Sequence, residues 1–344
     1  MEKYLGFLVI LLPLMILALS LNSGYVNAAT FLPPEDKPLE RHYYKKLNTC
    51  ANVEPFVRHQ VNLFWDRDKT VTAKLLKLLY ADCMLNGCDA SNLLVGPNTE
   101  RNSSKNAGMG GGAYELIDRI KKVLEIRCPR AVSCTDILSL ATRDAVHLAG
   151  GPSYPVLLGR RDGLESNAAW IDYPSPSMSW EEGLAYFESK NLDVQDFVTL
   201  LGAHSMGQAH CRFFYDRLYN FKGTGKPDPT MKRSTLVTLR SQCPKNSKTD
   251  SAVYFSPGYG SNYTFSNTFY GKVLAHESVL RVDQQLSYGA DTNELVNEFA
   301  QSLEQFRRAF TLSINRMGGL KVLTGKNGEI RRDCKFTNKN NPNL

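Results

Sequence analysis

The stretch Ala73-Lys-Leu-Leu-Lys-Leu-Leu-Tyr-Ala-Asp-Cys-Met-Leu-Asn-Gly-Cys-Asp-Ala-Ser91 changes character halfway along its length. Its first half contains no Gly or Pro and is dominated by Leu and Ala, which predicts a helix. On that helix Lys74, Lys77, Leu78 and Ala81 share one face, because residues three or four apart lie side by side. This face is what the helix presents to its neighbours.

The second half of the stretch offers hard oxygen atoms. Asp82, Asp89 and Ser91 carry side-chain oxygens, with backbone carbonyls between them, and Cys83 and Cys88 flank the intervening turn closely enough to bridge. A helix that runs into such a loop suggests a calcium site. A basic amphipathic helix followed by an ordinary turn fits these residues equally well.

A second helical pattern, Asp196-Phe-Val-Thr-Leu-Leu-Gly-Ala-His204, has an apolar side formed by Phe197, Leu200 and Leu201. His204 falls on that side, three and four residues further on. A lone histidine in such a place is more often a core residue than a ligand. On its own, this stretch therefore does not decide between packing and chemistry.

Together the two stretches resemble the class III (secretory plant) haem peroxidases, and the chain is identified as an atypical member. The resemblance runs from about Tyr43 to Cys334. The motifs that carry it are Asn86-Gly-Cys-Asp-Ala-Ser91, Val132-Ser-Cys-Thr-Asp136, Ala149-Gly-Gly-Pro-Ser153, Leu158-Gly-Arg-Arg-Asp162, Asp216-Arg-Leu-Tyr-Asn-Phe221 and Gly225-Lys-Pro-Asp-Pro229. It implies a mostly α protein in which two helical halves sandwich a haem b.

Length and composition agree with a secreted globular protein of 344 residues, 42% of them hydrophobic. Residues 1–29 read as a signal peptide with a small-residue cleavage region, although an uncleaved anchor is an alternative. Residues 30–41 read as an N-terminal arm and residues 42–344 as the peroxidase domain. No later segment is long and apolar enough to span a bilayer, so we expect an extracellular protein of the apoplast or cell wall.

The net charge of +7 is spread along the chain without a Lys/Arg run, which argues against a nucleic-acid partner. It favours loose attraction to acidic cell-wall polysaccharide, or is simply a solvated surface. We expect a monomer. The sequons at Asn102 and Asn262 are candidate glycan sites, each in a stretch typical of a surface loop.

Eight cysteines fit an oxidising compartment, but sequence alone leaves every pairing open. The resemblance implies the bridges Cys50–Cys128, Cys83–Cys88, Cys134–Cys334 and Cys211–Cys243. Periodicity predicts helices over Glu54–Phe64, Ala73–Leu85, Glu115–Ile126, Cys134–His147, Trp180–Lys190, Val194–Ala203, Arg212–Tyr219, Thr235–Ser241, Tyr270–Ala275 and Asn293–Asn315.

The resemblance implies that His204 is the proximal iron ligand. A ligating histidine needs its other ring nitrogen held by an acceptor, and Asp283 matches the carboxylate that does this. Phe255 matches an aromatic residue near that ring, whereas Met206 stands where Phe is usual. An exposed turn carboxylate is the alternative interpretation of Asp283.

The distal helix departs from the family pattern. The family has Leu-Arg-Leu-His-Phe-His-Asp-Cys where this chain has Leu76-Lys-Leu-Leu-Tyr-Ala-Asp-Cys83. Ala81 therefore stands in place of the histidine that moves the peroxide proton. Lys77 stands in place of the arginine that stabilises the developing charge, and it lacks the planar fork of arginine. Asn106 matches the residue that orients the missing histidine. Tyr80 is a poor replacement, because it points along another helix direction and its ordinary pKa is near 10.

Two calcium sites are implied, and only one matches. For the first, the implied ligands are the side chains of Asp82, Asp89 and Ser91 and the carbonyls of Leu85 and Gly87, with Glu100 supporting them through water. For the second, Ser205 can replace a threonine, but Ser256 and Ser266 stand where two aspartates are expected. We therefore expect one calcium ion rather than two.

Two other matches concern the frame around the site. Asp136 and Arg160 match a buried ion pair between the halves. Pro174 matches a proline at the haem edge where aromatic donors dock, although a structural turn fits as well.

Three hypotheses follow. The first is a haem protein that oxidises phenolic donors with hydrogen peroxide at a strongly reduced rate. The second is a non-catalytic haem-binding or cell-wall-binding protein on the same scaffold. The third is that haem binding itself is lost.

Overall fold

A computed structural model describes residues 39–106, 109, 111–256 and 262–343. The predicted signal peptide and residues 30–38 of the predicted arm lie outside these ranges. Glu40, at the end of that arm, pairs with Leu158: their backbone N–H groups and carbonyls exchange hydrogen bonds of 2.9 and 2.8 Å. The start of the described chain is therefore attached to the loop that carries Arg160.

The described chain is mostly helical, which confirms the predicted fold class. The α-helices are α1 (Tyr43–Lys46), α2 (Val53–Trp65), α3 (Val71–Cys83), α4 (Gly111–Arg127), α5 (Cys134–Leu148), α6 (Trp180–Glu188), α7 (Val194–Leu201), α8 (Tyr215–Tyr219), α9 (Arg233–Gln242), α10 (Thr268–Leu274), α11 (Arg281–Gln285), α12 (Ala290–Gln301) and α13 (Leu303–Met317). Strands β1 (Gln208–His210) and β2 (Ala252–Tyr254) form an antiparallel pair. Among these helices none is both long and apolar enough to cross a membrane.

The first half is built around α5, in which every side chain from Cys134 to Val146 is buried. Helices α2, α3 and α4 pack against it. Ser133 caps α5 by accepting a hydrogen bond from the N–H of Asp136, which satisfies a free donor of the first turn. This packing fixes α3, and with it the face that carries Lys77 and Ala81.

The second half packs α7, α10, α12 and α13 around a cluster of aromatic rings. The rings of Phe265 and Phe306 stack at 4.6 Å between centroids, and Phe310 and Tyr270 meet them edge to face. Offset and edge-to-face contacts of this kind are the favoured geometries of aromatic pairs. The cluster supports α7 and the short turn of helix that follows it.

Two helix predictions need correction. The predicted helix Asn293–Asn315 is two helices, because Ser302 adopts an extended conformation and caps α13 by accepting from the N–H of Gln305. The predicted helix Arg212–Tyr219 becomes regular only at Tyr215. In each case a local side-chain or turn geometry interrupts an otherwise helical pattern.

Covalent and ionic links tie distant parts of the chain together. The four disulfides are Cys50–Cys128, Cys83–Cys88, Cys134–Cys334 and Cys211–Cys243, the pairings that the resemblance implied. The predicted ion pair is confirmed: Arg160 Nη1 lies 2.8 Å from Asp136 Oδ1, with both side chains buried. Arg160 also donates to the carbonyl of Gly318, just after α13. Breaking this pair would leave a buried charge without its partner.

Candidate functional site

His204 lies in a turn of 3₁₀-helix, Gly202–Ser205, that continues α7. Its Nδ1 is 2.9 Å from Oδ1 of Asp283, which sits on the short helix α11. The Asp283 side chain is 2% exposed and that of His204 is 30% exposed. The carboxylate therefore fixes one ring nitrogen from inside the protein, which leaves Nε2 as the nitrogen that could meet an iron.

Phe255 forms the other wall against the His204 ring. The two rings stack at 4.5 Å between centroids with 17° between their planes, and Phe269 meets the imidazole edge-on at 6.3 Å. Met206 is buried two residues after the histidine. A histidine with one nitrogen fixed by a buried carboxylate, and its ring held between aromatic walls, fits a haem ligand.

Helix α3 carries the second group of predicted site residues. Position 81 on this helix has no group suited to proton transfer. Ala81 is 1% exposed, and Leu78 on the same face is fully buried. The Lys77 side chain is open to water, yet the surrounding protein lowers its pKa, and the nearby charge of Arg212 lowers it further. Both effects disfavour the charged form of Lys77, which lies on this face beside a second cation.

Asn106 has the geometry expected of a residue whose partner is absent. Its Nδ2 donates to the carbonyl of Glu100 at 2.9 Å, whereas its buried Oδ1 has no hydrogen-bond partner. An unpaired buried oxygen costs free energy comparable to a lost hydrogen bond. The resemblance implied an imidazole at position 81 as the partner of this side chain.

Tyr173 is a residue that the sequence interpretation missed at this face. Its hydroxyl donates to the carbonyl of Ala81 at 2.9 Å, lies beside the Asn106 side chain, and its ring is 5.9 Å from that of Tyr80. Burial raises the pKa of both phenols, so both stay neutral. The only sequence signal was its position directly before Pro174, which is half-buried.

The loop after α3 gathers the predicted calcium donors. Asp82 Oδ2 accepts from the N–H of Ala90 at 3.0 Å, Asp89 Oδ1 accepts from the N–H of Ser91 at 2.9 Å, and Ser91 Oγ donates to Glu100 Oε2 at 3.1 Å. One carboxylate oxygen of Asp82 and one of Glu100 are buried without a partner. Unsatisfied anionic oxygens in a closed loop are the chemistry that calcium neutralises.

The electrostatics of this loop also favour a bound cation. Burial raises the pKa of Asp82 and Asp89, and the charge of Asp89 raises the pKa of Asp82 further. Burial and then the charge of Asp89 raise the pKa of Glu100 to about 7. Within the described ranges, no three His, Cys, Asp or Glu side chains converge on one point. A cation in this loop would therefore be held by two carboxylates together with hydroxyl and carbonyl oxygens. One of these carbonyls, Leu85 O, also accepts a long hydrogen bond from Lys190.

The C-terminal segment closes this loop. Gly87 has a φ of +112°, and a Cβ added to it would lie 2.6 Å from Cβ of Lys321. The N–H of Cys88 donates to the carbonyl of Leu320 at 3.0 Å, and Arg331 Nη1 donates to the carbonyl of Ala90 at 2.7 Å. Only glycine allows this approach in this conformation.

The second predicted calcium site does not fit a divalent ion. Ser205 Oγ accepts weakly from the N–H of Ser266 at 3.5 Å, and Ser266 Oγ pairs with Oγ1 of Thr268 at 2.7 Å. Ser256 is buried, and its hydroxyl has no partner. Three hydroxyls supply none of the negative charge that calcium favours, so these three side chains do not fit a divalent ion.

Comparison with known proteins shows the family of this chain. A sequence profile of the family described as Peroxidase matches residues 57–302. The chain belongs to the peroxidase family. It is 54% identical over 333 residues to "Probable peroxidase 61" of Arabidopsis thaliana, covering 96% of this chain and 97% of that relative.

Two further relatives are similar along most of their length. "Probable peroxidase 26" of Arabidopsis thaliana is 53% identical over 313 residues, which cover 90% of this chain and 93% of the relative. "Peroxidase 57" of Arabidopsis thaliana is 41% identical over 290 residues, which cover 84% of this chain and 90% of the relative.

The fold of this peroxidase-family chain gathers the predicted site residues into two groups. His204, Asp283 and Phe255 meet on one side, and Ala81 and Asn106 lie with Tyr173 on α3 and its surroundings. Of the two candidate glycan positions, Asn102 is exposed and Asn262 is half-buried.

Proposed function

We propose that this chain is a secreted member of the peroxidase family that binds haem b and oxidises phenolic donors with hydrogen peroxide at a strongly reduced rate. The observation that carries the proposal is a contrast. His204 and Asp283 form a 2.9 Å pair suited to an iron ligand, whereas position 81 on α3 is a buried alanine. Haem, when bound, would supply the oxidising chemistry, and the chain would supply the groups around it.

On the proximal side, Nε2 of His204 would hold the iron. Asp283 accepts the Nδ1 proton, fixes the tautomer and makes the imidazole a stronger donor. The stacked ring of Phe255 restrains rotation of the imidazole. These three residues support retained haem binding, and so argue against the hypothesis that haem is lost.

On the distal side, the chain lacks a proton shuttle. The methyl group of Ala81 can neither take a proton from peroxide nor return it to the departing oxygen. A positioned general acid–base contributes about 10²–10⁴ in rate. Lys77 supplies charge without the guanidinium fork, and a preorganised donor is worth about 10²–10³. These losses do not multiply, because such residues act as a unit.

Several features complete the proposal. One calcium ion would bind through Asp82, Leu85, Gly87, Asp89 and Ser91. Residues 1–29 would direct secretion, aromatic donors would dock near Pro174, and Asn102 and Asn262 would carry glycans. The monomer would associate loosely with acidic wall polysaccharide through its net positive charge of +7.

A second candidate is a haem-binding or wall-binding protein without turnover. The observation that favours it is that Asn106 Oδ1 is buried without a partner while position 81 is a buried alanine. In that case the retained scaffold would serve binding alone.

The test combines absorption spectra with rapid mixing. We expect the haem-loaded protein to show a Soret band that His204→Ala weakens or shifts, and to react slowly with hydrogen peroxide in stopped-flow experiments. A folded protein that takes up no haem would overturn the proposal. A fast reaction would show that another group moves the proton, and no detectable reaction would favour the second candidate.

A further inference from the structure

A surface cavity of about 380 Å³ gathers apolar side chains that have no role in the function proposed above. Val95, Leu164 and Trp170 line this cavity, the Trp170 hollow, and they are 37%, 57% and 40% exposed. Exposed apolar side chains that occur singly are normal, but several in one concave place mark a binding site. The volume lies within the range of about 300–1,000 Å³ that is usual for ligand sites. An occupant of the Trp170 hollow would cover apolar surface that otherwise faces water.

The polar lining of the Trp170 hollow favours a neutral occupant. The charged residues that line it, Glu165 and Lys335, have opposite signs, and the other polar lining residues, such as Thr99 and Asn167, carry uncharged hydroxyl or amide groups. A sugar ring has apolar C–H groups on its faces and hydroxyls at its edge. An indole ring beside aliphatic and uncharged polar side chains therefore matches a neutral sugar better than an ion.

The sequon at Asn102 lies at the edge of the Trp170 hollow. Nδ2 of Asn102 donates to the carbonyl of Gly96 at 2.6 Å, and Oγ1 of Thr99, a lining residue, donates to the same carbonyl at 3.1 Å. Because the two groups share one acceptor, the amide nitrogen that would carry a glycan lies beside the lining. Asn102 is exposed, and its amide has two N–H groups. One N–H can therefore stay on Gly96 while a sugar replaces the other hydrogen.

The turn of 3₁₀-helix that ends at Trp170 is attached to the segment that leads into the turn ending at Asn102. The N–H of Ala168 donates to the carbonyl of Asn98 at 2.8 Å. Ala168 begins the first turn, and Asn98 lies two residues before the second. The backbone thus holds the indole ring and the attachment site in a fixed relation.

We propose that the glycan attached to Asn102 folds back into the Trp170 hollow, where its first N-acetylglucosamine units pack against Trp170, Leu164 and Val95. The docked sugars cover apolar side chains and so keep a second copy of the chain from binding there. The inference rests on one part of the proposed function, the glycan at Asn102, and is independent of haem binding.

The test measures how fast the glycan is removed from the folded protein. The full chain is secreted from a host that adds high-mannose glycans, and an endoglycosidase that cuts between the first two N-acetylglucosamine units trims it under native conditions. Mass spectrometry of the peptide around Asn102 follows the loss. We expect Trp170→Ala to lose this glycan at least about threefold faster than the wild type, a factor within the range of one aromatic contact. Trp170→Phe, which keeps a ring, should stay near the wild-type rate.

Tyr288→Ala is the matched control, because it removes an aromatic ring that is 45% exposed and does not line the Trp170 hollow. It should be trimmed at the wild-type rate, and thermal melts confirm that every variant is folded. Equal trimming of the wild type and Trp170→Ala would overturn the docking but leave the glycan in place. A peptide without a glycan at Asn102 would overturn both this inference and that part of the proposed function, without affecting haem binding. A glycosylated wild type that dimerises in light scattering, when Trp170→Ala does not, would show instead that a second copy fills the hollow.

Discussion

The two sides of the site differ in which feature each has kept. The loop after α3 keeps the oxygen donors that we propose for calcium, yet the helix before it has alanine where the resemblance implied a histidine that transfers a proton. The segment around His204 keeps the histidine–carboxylate pair, yet it has serines at 256 and 266, where the resemblance implied aspartates. If the proposal holds, metal binding and catalysis are separable on each side, because different residues of the same element would serve them.

The difference also shows how each side balances its charge. The first loop buries Asp82 and Glu100, each with one unsatisfied carboxylate oxygen, which is why we propose a cation there. The second has serines at 205, 256 and 266, and therefore no carboxylate at these positions. An ion should consequently matter for the stability of one side only.

The largest effect should come from opening the first loop at Gly87. Gly87→Ala adds a methyl group 2.6 Å from Cβ of Lys321 at a φ of +112°. We expect a loss of about 3 kcal/mol or more in the free energy of unfolding, from backbone strain of about 1–3 kcal/mol together with the clash. Urea denaturation measures it. Gly223→Ala is the matched control, since Gly223 also has a positive φ but nothing within 4 Å. Equal losses would show that the C-terminal segment does not close the loop tightly.

The next largest loss of stability should come from removing calcium. Stabilisation by a ligand at a hundredfold excess over its Kd is about 2.7 kcal/mol, so a chelator should lower the Tm by about 5–10 °C. Metal analysis should find one calcium per chain, and Asp82→Asn should melt alike with and without chelator. Ser205→Ala is the control on the other side and should keep the calcium. Two tightly held ions would contradict the asymmetry.

The calcium effect should depend on pH. The pKa of Glu100 is raised from 4.5 to about 7, chiefly by burial. Between these values the calcium-free folded protein holds a proton that the unfolded chain releases, so its stability falls as the pH rises. Calcium binds the ionised acids, so the difference in Tm between loaded and free protein should be larger at about pH 8 than at about pH 5. Glu100→Gln should reduce that pH dependence, and an unchanged dependence would assign it to other groups.

Restoring the histidine and arginine on α3 should raise the rate of the reaction with peroxide. Ala81→His with Lys77→Arg should raise the second-order rate with peroxide by at least about tenfold, the low side of an acid–base contribution. The free Oδ1 of Asn106 is available to orient the imidazole. Ala81→Phe with Lys77→Arg fills the space without a transferable proton and should give no such gain. If the wild type already reacts as fast as the double variant, the site is not disabled.

The smallest effect should be at Ser266. Ser266→Ala removes its 2.7 Å hydroxyl contact with Thr268, worth about 1 kcal/mol in the free energy of unfolding. The calcium content should stay at one ion. Thermal melts with metal analysis measure both, and loss of an ion would show that the second loop binds metal after all.

Sequence reasoning identified the long helices and the His204–Asp283 pair, because periodicity and separated motifs are strong signals. It missed the break at Ser302, since a serine is compatible with a helix until its side chain caps the next one. It also missed α11 around Asp283, which is too short to show a period. Tyr173 gave no signal beyond its position before Pro174, because its contact with the carbonyl of Ala81 arises only from the fold.

The contacts of the C-terminal segment set an order of events during synthesis. Gly87 and Ala90 leave the ribosome early, but the residues that enclose them, Leu320 and Arg331, are among the last to be made. The bridge from Cys134 to Cys334 spans 200 residues and cannot form before then. The acidic loop of the nascent chain must therefore stay open through most of translation. A premature stop after α13 would leave that loop open, although nearly all of the helical domain had been made.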